Sequence, residues 1–257
     1  MSSSECRGNV VELFSGIQGE GIHVGRRQIF LRMAECNLDC DYCDQPEAKK
    51  IPRTALIEQT PGHRDFLRVR NPVAISELAQ AIRNLARQGT RHHALAVTGG
   101  EPLMQHDFLA ALLPRMRGLK ILLETNGTLP DALQPLLPSI DIVSMDLKLK
   151  SATGRPMPRR RHEDFLRIAV RQRNIEVIVK AVITSAATPR EIRAAARLVG
   201  GIKKSVPFVL QPVTGGPGGK NLRPPKPSAV LALQDAAAQI LPDVRVIPQT
   251  HIVMGQR

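Results

Sequence analysis

The 257-residue sequence predicts an α/β fold, a partial (β/α) barrel of about six or seven mainly parallel strands. Two observations carry this. After residue 72, short β-branched runs alternate with helical patterns, which is how successive βαβ units read. Polar and glycine residues then sit just past the C-terminal ends of those runs, the edge on which α/β sheets build their sites.

The elements follow in order. "QIFLRMAEC" is a strand. "EAKKIPRTALIEQTPGHRDFLRVRNP", residues 47–72, falls outside the repeat and reads as an inserted loop or hairpin turning at Pro61-Gly62. "ISELAQAIRNLARQG" sets Leu78, Ile82 and Leu85 on one helical face and stops at Gly89. "ALAVTGGEP" is a strand running into a glycine turn. "DFLAALLPRMRG" is a helix that Pro114 kinks or ends, and "LKILLETNG" is the next strand. The alternation continues through "DIVSMDLKLK", the helix near "HEDFLRIAVRQRN", the strand "EVIVKAVIT", the helix "TPREIRAAARLVG" and the strand "PFVLQPVT". A helix at "PSAVLALQDAAAQIL" leads to "VRVIPQTH". Residues 215–227, "GGPGGKNLRPPKP", read as a flexible loop, and both this loop and the insertion are candidate lids. No second domain is visible, so residues 1–257 are expected to form one domain.

Composition bounds the function. Hydrophobic residues make up 42% and charged residues 23%, which is globular rather than disordered usage. There is no run of eighteen apolar residues and no secretory pattern at "MSSSECRGNVVELF", so the expectation is a cytoplasmic protein without membrane contact. A net charge of +13 suits an anionic partner. The basic residues are nevertheless dispersed, and one Tyr and six Phe offer little base stacking, so direct nucleic-acid binding is not the expectation.

The densest chemistry is "AECNLDCDYCDQ", which holds Cys36, Cys40 and Cys43, three of the chain's four cysteines. In a reducing compartment such a group is metal-binding or catalytic rather than a disulfide framework. Structural zinc wants four ligands, commonly in two pairs, and no second pair exists, although His23 or His63 could complete a Cys3His site. Three thiolates with a fourth position open suit a [4Fe-4S] cluster that leaves one iron for a ligand. Cys6 lies outside the spacing and reads as a free thiol.

Cys-x3-Cys-x2-Cys, with Tyr42 just before the third cysteine, resembles the radical S-adenosylmethionine superfamily. "TGGEP" resembles its glycine turn for the methionyl end of that cofactor. The resemblance implies a [4Fe-4S] cluster on the three cysteines and S-adenosylmethionine at Tyr42, Gly99, Gly100, Glu101, Asp146, Lys148 and Gln211. Glu101 could either hold the turn or accept from the cofactor's ammonium. Asp146 and Lys148, two apart on a strand, would face one side.

A narrower resemblance, to the 7-carboxy-7-deazaguanine synthase family, rests on "SGIQGEGIHVGRRQIFLRMAECNLDCDYCD", "VTGGEPL", "ETNGT", "VSMDLK", "VLQPV" and "QTHIVMG". It implies conversion of 6-carboxy-5,6,7,8-tetrahydropterin to 7-carboxy-7-deazaguanine with loss of ammonia, as in queuosine and deazapurine biosynthesis. It also implies a homodimer and an electron donor such as flavodoxin or ferredoxin. Ile17, Gln18, Gly19 and Glu20 would read the pterin edge, Arg32 would clamp its carboxylate or instead pair with Glu35 or an aspartate, and Thr98 and His251 would lie close by. No general acid or base is evident.

Two positions depart from that family. It typically carries Thr where this chain has Gln45, at a Mg2+ ligand position; a glutamine oxygen is an acceptable but longer ligand, and Asp44 could assist. It more often reads Ser-Pro-Lys where this chain reads Asp146-Leu147-Lys148, which is closer to glycyl-radical activases. The alternatives are therefore another radical S-adenosylmethionine enzyme of that kind, or a zinc-bearing module that binds RNA through basic loops such as "RPMPRRRHED".

Overall fold

A computed structural model describes residues 5–89, 91–214 and 222–256. β1 (Arg7–Gly8), β2 (Val10–Ile17) and β3 (Arg27–Met33) open the chain. After the cysteine loop come a hairpin of β4 (Thr54–Glu58) and β5 (Phe66–Arg70), and then β6 (Val73–Ala74), which pairs back with β1. Strand and helix then alternate: α1 (Ile75–Arg87), β7 (Leu95–Gly99), α2 (His106–Leu112), β8 (Ile121–Thr125), α3 (Pro130–Leu133) and β9 (Ile142–Asp146). The series continues through α4 (Lys150–Thr153), α5 (Arg159–Arg171), β10 (Glu176–Ile183), α6 (Pro189–Gly200), β11 (Phe208–Pro212), α7 (Pro227–Ala238), β12 (Val244–Val246) and α8 (Thr250–Val253).

The main sheet runs β12-β11-β10-β9-β8-β7-β3-β2-β4-β5. From β3 to β12 the seven strands are parallel and follow chain order, the result of repeated βαβ crossovers. The sheet curls without closing, a partial barrel. β2, absent from the sequence reading, pairs antiparallel with β3, and the hairpin extends the sheet beyond it. That hairpin was a candidate lid. Of the 47–72 insertion, Lys49 lines the central cavity, while the hairpin strands β4 and β5 extend the sheet edge away from it. Most of the other candidate lid, residues 215–221 of the 215–227 loop, lies outside the described residues.

Local chemistry explains the helix ends. Thr188 Oγ1 accepts from Glu191 N at the start of α6, with Pro189 in the first turn where its missing N–H costs nothing. α2 stops at Leu112, and Pro114 sits in the 3-10 turn that follows.

The two-residue strand period builds the molecule's two sides. One face of each parallel strand (Leu31 and Met33, Val97, Leu123, Val143 and Met145, Val179, Leu210) packs on the helices through Leu78, Ile82, Leu109, Phe165 and Ile192. The other face turns into the barrel. Its N-terminal half is apolar, a plug of Phe14, Phe30, Ala96, Leu122, Ile142, Ile178 and Val209, in which Phe14 and Phe30 stack 5.1 Å apart.

Candidate active site

Two residues further along each inward face the plug gives way to polar side chains. Phe30 is followed by Arg32, Ala96 by Thr98, Leu122 by Glu124, Ile142 by Ser144 and Asp146, Ile178 by Lys180, and Val209 by Gln211. Strand register sets these at nearly one level: Arg32 pairs with Thr98, Glu124 with Ser144 and Lys180 with Asp146. All seven line a single cavity at the C-terminal end of the barrel.

The cysteine loop forms one wall of that cavity. Cys36, Cys40 and Cys43 all line it as free, half-buried thiols. Burial raises all three, Cys40 to about 11, so the thiols as they stand hold their protons; coordination to a metal centre would remove them. Glu35 turns the chain into this loop with φ 74°, a left-handed conformation unusual for a glutamate. The "TGGE" turn packs directly beneath. A Cβ on Gly100 would stand 2.0 Å from Glu35 O, and Gly99, at φ 119°, approaches Met33 as closely, so only glycine fits either position.

Glu101 anchors that turn. Its fully buried carboxylate accepts from Leu103 N, Thr125 Oγ1 and Asn126 N at 2.7–3.0 Å. It does not line the cavity, so of the two roles offered by the sequence it takes the one that holds the turn. Asn126 in turn donates to Asn37 Oδ1 at 2.8 Å, fixing the "ETNG" turn to the cysteine loop. Behind it, fully buried His162 meets Asn126 O at 3.0 Å, and burial pushes its pKa down to about 4, leaving a neutral ring.

Within the cysteine loop, Tyr42 Oη donates to Asp146 and lies 2.7 Å from Lys148 Nζ, which is itself 2.9 Å from Asp146. β9 ends at Asp146, so Lys148 is not on the strand as expected, yet the two side chains still meet. Burial opposes the Lys148 charge, but Asp146, Tyr42 and Cys40 outweigh it and raise its pKa.

The floor and lip are made by two distant segments. Gln18 donates to Gln28 and Glu124 and accepts from Glu20 N, so its amide braces the loop it sits on. Glu20 forms a short ion pair with Lys180, which also lies 3.9 Å from Asp146. Burial disfavours both charges, but each partner overrides it: Glu20 is held down to about 2 and Lys180 is raised. Gln249, 8% exposed, donates to Glu20 Oε1 and Asp44 Oδ2, both at 2.7 Å, and accepts from Thr214 Oγ1. Thr250 N bonds to Gly19 O at 2.9 Å, and His251 packs so tightly on Gly19 that a Cβ there would stand 2.3 Å from its ring. Glu20, Asp44 and His251 each bring a ligand atom within 4.8 Å of the others, with Gln45 on the same cavity wall.

Residues 31–199 match the family profile described as Radical SAM superfamily. The chain is 40% identical over 247 residues to the 7-carboxy-7-deazaguanine synthase of Geobacter sulfurreducens, covering 95% of this chain and 96% of that one. The corresponding protein of Methanopyrus kandleri is 35% identical over 252 residues, covering 95% and 92%. The chain belongs to the 7-carboxy-7-deazaguanine synthase family of radical S-adenosylmethionine enzymes. The fold agrees: the crystal structure of QueE from Escherichia coli superposes with a TM-score of 0.55 at 20% identity over 95% of both chains. Streptococcus suis SuiB bound to S-adenosylmethionine superposes with a TM-score of 0.55 at 13% identity, over 83% of this chain and 48% of that one.

Members of the superfamily carry a [4Fe-4S] cluster and S-adenosylmethionine, and the cavity fits both. Three thiols face it from one loop, the glycine turn leaves backbone open to it, and Gln211 Oε1 is buried at its wall without a hydrogen-bond partner. Neither His23 nor His63 lines it; His23 sits 3.3 Å from Glu176 elsewhere, so the Cys3His zinc site considered from sequence lacks those ligands.

Apart from Glu101, every residue expected to meet the cluster, S-adenosylmethionine, magnesium or the substrate lines this one cavity: Ile17, Gln18, Gly19, Glu20, Arg32, Cys36, Cys40, Tyr42, Cys43, Asp44, Gln45, Thr98, Gly99, Gly100, Asp146, Lys148, Gln211 and His251. Arg32 is bonded through Nε to neither Glu35 nor an aspartate but to buried Glu12, at 2.8 Å. Sequence reasoning missed Glu124, Lys180 and Gln249. Lys180 was detectable as the lone charge inside "VIVKAVI", on an inward face that the strand period alone would have identified.

Proposed function

We propose that this chain converts 6-carboxy-5,6,7,8-tetrahydropterin to 7-carboxy-7-deazaguanine with loss of ammonia. The observation that carries this reading is the convergence of the cysteine loop, the glycine turn and the Gln18–Glu20 loop with Arg32 on one cavity. Held at Cys36, Cys40 and Cys43 and beside the Gly99-Gly100 turn, the cluster and S-adenosylmethionine would supply one-electron, hydrogen-abstracting radical chemistry.

The chain's own groups position the reactants. Arg32, its Nε spent on Glu12, turns its terminal N–H groups to the substrate carboxylate. Glu20, held ionised by Lys180, accepts from the amino edge of the pterin, and backbone at Ile17 and Gly19 supplies the complementary contacts. Thr98, whose hydroxyl proton goes to Glu124, offers an acceptor, and His251 closes the lip. Gly99 and Gly100 meet the methionyl group, while Tyr42, Asp146, Lys148 and Gln211 meet the nucleoside. Gln45 and Asp44, both on the cavity wall, would offer hard oxygen ligands to Mg2+.

The protein works as a single-domain cytoplasmic homodimer fed by a reduced flavodoxin or ferredoxin. Among the described residues no helix is long and apolar enough to cross a membrane. The test is an anaerobic assay of reconstituted, reduced protein with S-adenosylmethionine and the carboxypterin, with and without Mg2+. Formation of 7-carboxy-7-deazaguanine is the expected result, and a rate that rises with Mg2+ assigns the metal. Cleavage to 5′-deoxyadenosine without that product would overturn the substrate and favour an activase-like reading, to which Asp146 already points.

A further inference from the structure

The basic segment "RPMPRRRHED" has no place in the reaction just described, yet it is built against the cysteine loop. Arg155 Nη2 lies 3.6 Å from Asp39, which also pairs with Lys49. Gly154 is packed on Asp41, 2.6 Å from where its Cβ would be. Arg161 donates to Thr128 O, whose hydroxyl accepts from Asn37 at 2.9 Å. Asn37, Asp39 and Asp41 alternate with the cysteines, so this segment frames the outer rim of the loop that holds the cluster.

Its charge opposes local stability. Arg159, Arg160 and Arg161 occupy the first turn of α5, which has no acidic residue there and no side-chain cap. Cations at a helix N-terminus face the positive end of the macrodipole, which disfavours them. All three are exposed, and only Arg159 has a helical partner, Glu163 at 2.9 Å. Among the described residues Arg160 has no such partner, and a local rule broken without compensation points to function. Here the helix end and its arginines place positive charge beside the rim of the cluster loop, next to Arg155 and Lys49.

The geometry points to this face, Lys49, Arg155 and Arg159–Arg161, as the docking surface for an acidic one-electron carrier protein. The inference rests on the radical reading of the adjacent cavity. Each cluster reduction takes one electron from the reduced carrier, which is oxidised by one; no bond forms or breaks in that step. Complementary charge speeds such short-lived encounters and lets a small contact suffice. RNA fits less well, because the face offers no aromatic side chain for stacking: Tyr42 is turned into the cavity and Phe165 is buried.

The test compares the cluster-loaded wild type with Arg159→Glu/Arg160→Glu and with Arg117→Glu/Lys120→Glu. The second pair carries the same charge change just before β8, at the opposite end of the barrel. Anisotropy of a dye-labelled acidic flavodoxin measures binding at low and moderate salt. Absorbance follows single-electron reduction of the cluster by flavodoxin hydroquinone or by dithionite. The α5 variant is expected to raise the flavodoxin Kd roughly tenfold or more and to slow its reduction of the cluster similarly. Dithionite reduction and the control variant stay at wild-type values.

Because acidic residues suit a helix N-terminus, the α5 variant keeps its thermal midpoint, and Arg159→Gln/Arg160→Gln gives the same direction with smaller size. Unchanged binding and reduction in the α5 variant, or equal losses in both charge reversals, would overturn the inference. So would loss of affinity for a labelled tRNA with carrier binding intact. If dithionite-reduced wild type makes no deazaguanine while the carrier results hold, the substrate reading falls and the docking face stands.

Discussion

Gln249 is the sharpest place to test whether the C-terminal strap organises the cavity. Its amide uses both protons on carboxylates, Glu20 and Asp44 at 2.7 Å each, and its oxygen on Thr214. Replacing it with Leu keeps the bulk and removes both donors. Hydrogen bonds to charged groups contribute about 1.5–3 kcal/mol each, and water entering the open cavity replaces part of that. The lower figure, taken twice, gives about 3 kcal/mol, or on the order of 100-fold in kcat/KM for the carboxypterin. The loss falls on KM, because Gln249 orients Glu20 and touches no reacting atom. Gln249→Glu is worse than Leu at neutral pH, since it sets a third carboxylate against two others, and it recovers as the pH falls and the site takes up a proton. Steady-state product formation and uncoupled 5′-deoxyadenosine release, both measured anaerobically, read these effects. Gln249→Glu at wild-type KM would refute the reasoning.

Three other perturbations follow from the same contacts. Lys180→Met strands Glu20 without its buried cation and costs roughly 3–5 kcal/mol in urea unfolding at neutral pH; Glu20 then rises from about 2, so the deficit shrinks on acidification, and Lys180→Arg restores most of it. His162, about 4 when folded against 6.5 as a free side chain, excludes a proton that the unfolded chain binds, so stability is complete above pH 6.5 and falls by up to about 3 kcal/mol as pH drops to 4. His162→Gln removes that slope in unfolding measured across the range. Glu101→Gln halves the acceptor capacity facing three donors, lowers the thermal midpoint by roughly 4–8 °C and reduces the iron bound on reconstitution.

The parallel half of the fold was legible because each strand from β7 onward lies between its own helices and pairs with its chain neighbour, so local pattern and global topology coincide. β2 was not. "VVELFSGI" lies outside the βαβ repeat, and its place depends on pairing with β3 and β4 at once. The site divides in the same way. Cys36, Cys40, Cys43 and the Gly99-Gly100 turn are fixed by short spacings that chemistry imposes. Lys180 and Gln249 derive their meaning from Glu20, 160 and 229 residues away, and from Asp44, 205 residues from Gln249. No window along the chain contains those pairs. Glu101 shows an ambiguity that local sequence leaves open: a carboxylate at a ligand turn reads as either a ligand contact or a brace, and the three donors that absorb it come from the backbone of its own turn and from β8 and the turn that follows.

The electrostatics of the cavity bear on why so many charges are tolerated there. Its lining includes Glu20, Asp44, Glu124 and Asp146 against Arg32, Lys49, Lys148 and Lys180, so the two signs balance. Arg32 is fixed by Glu12, Lys148 by Asp146 and Lys180 by Glu20 before any ligand arrives. An ionic substrate therefore meets dipoles and ion pairs already oriented, and little reorganisation is left for the moment of reaction. The alternative, bare charges awaiting a ligand, would cost more in the empty protein than the fold could supply. The same pairing holds side chains in place around a radical, where a mobile group is a stray hydrogen donor. On this argument the apolar plug and the polar ring above it have distinct tasks: the plug and its helices hold the barrel's shape, and the ring sets which molecule can lie still within it.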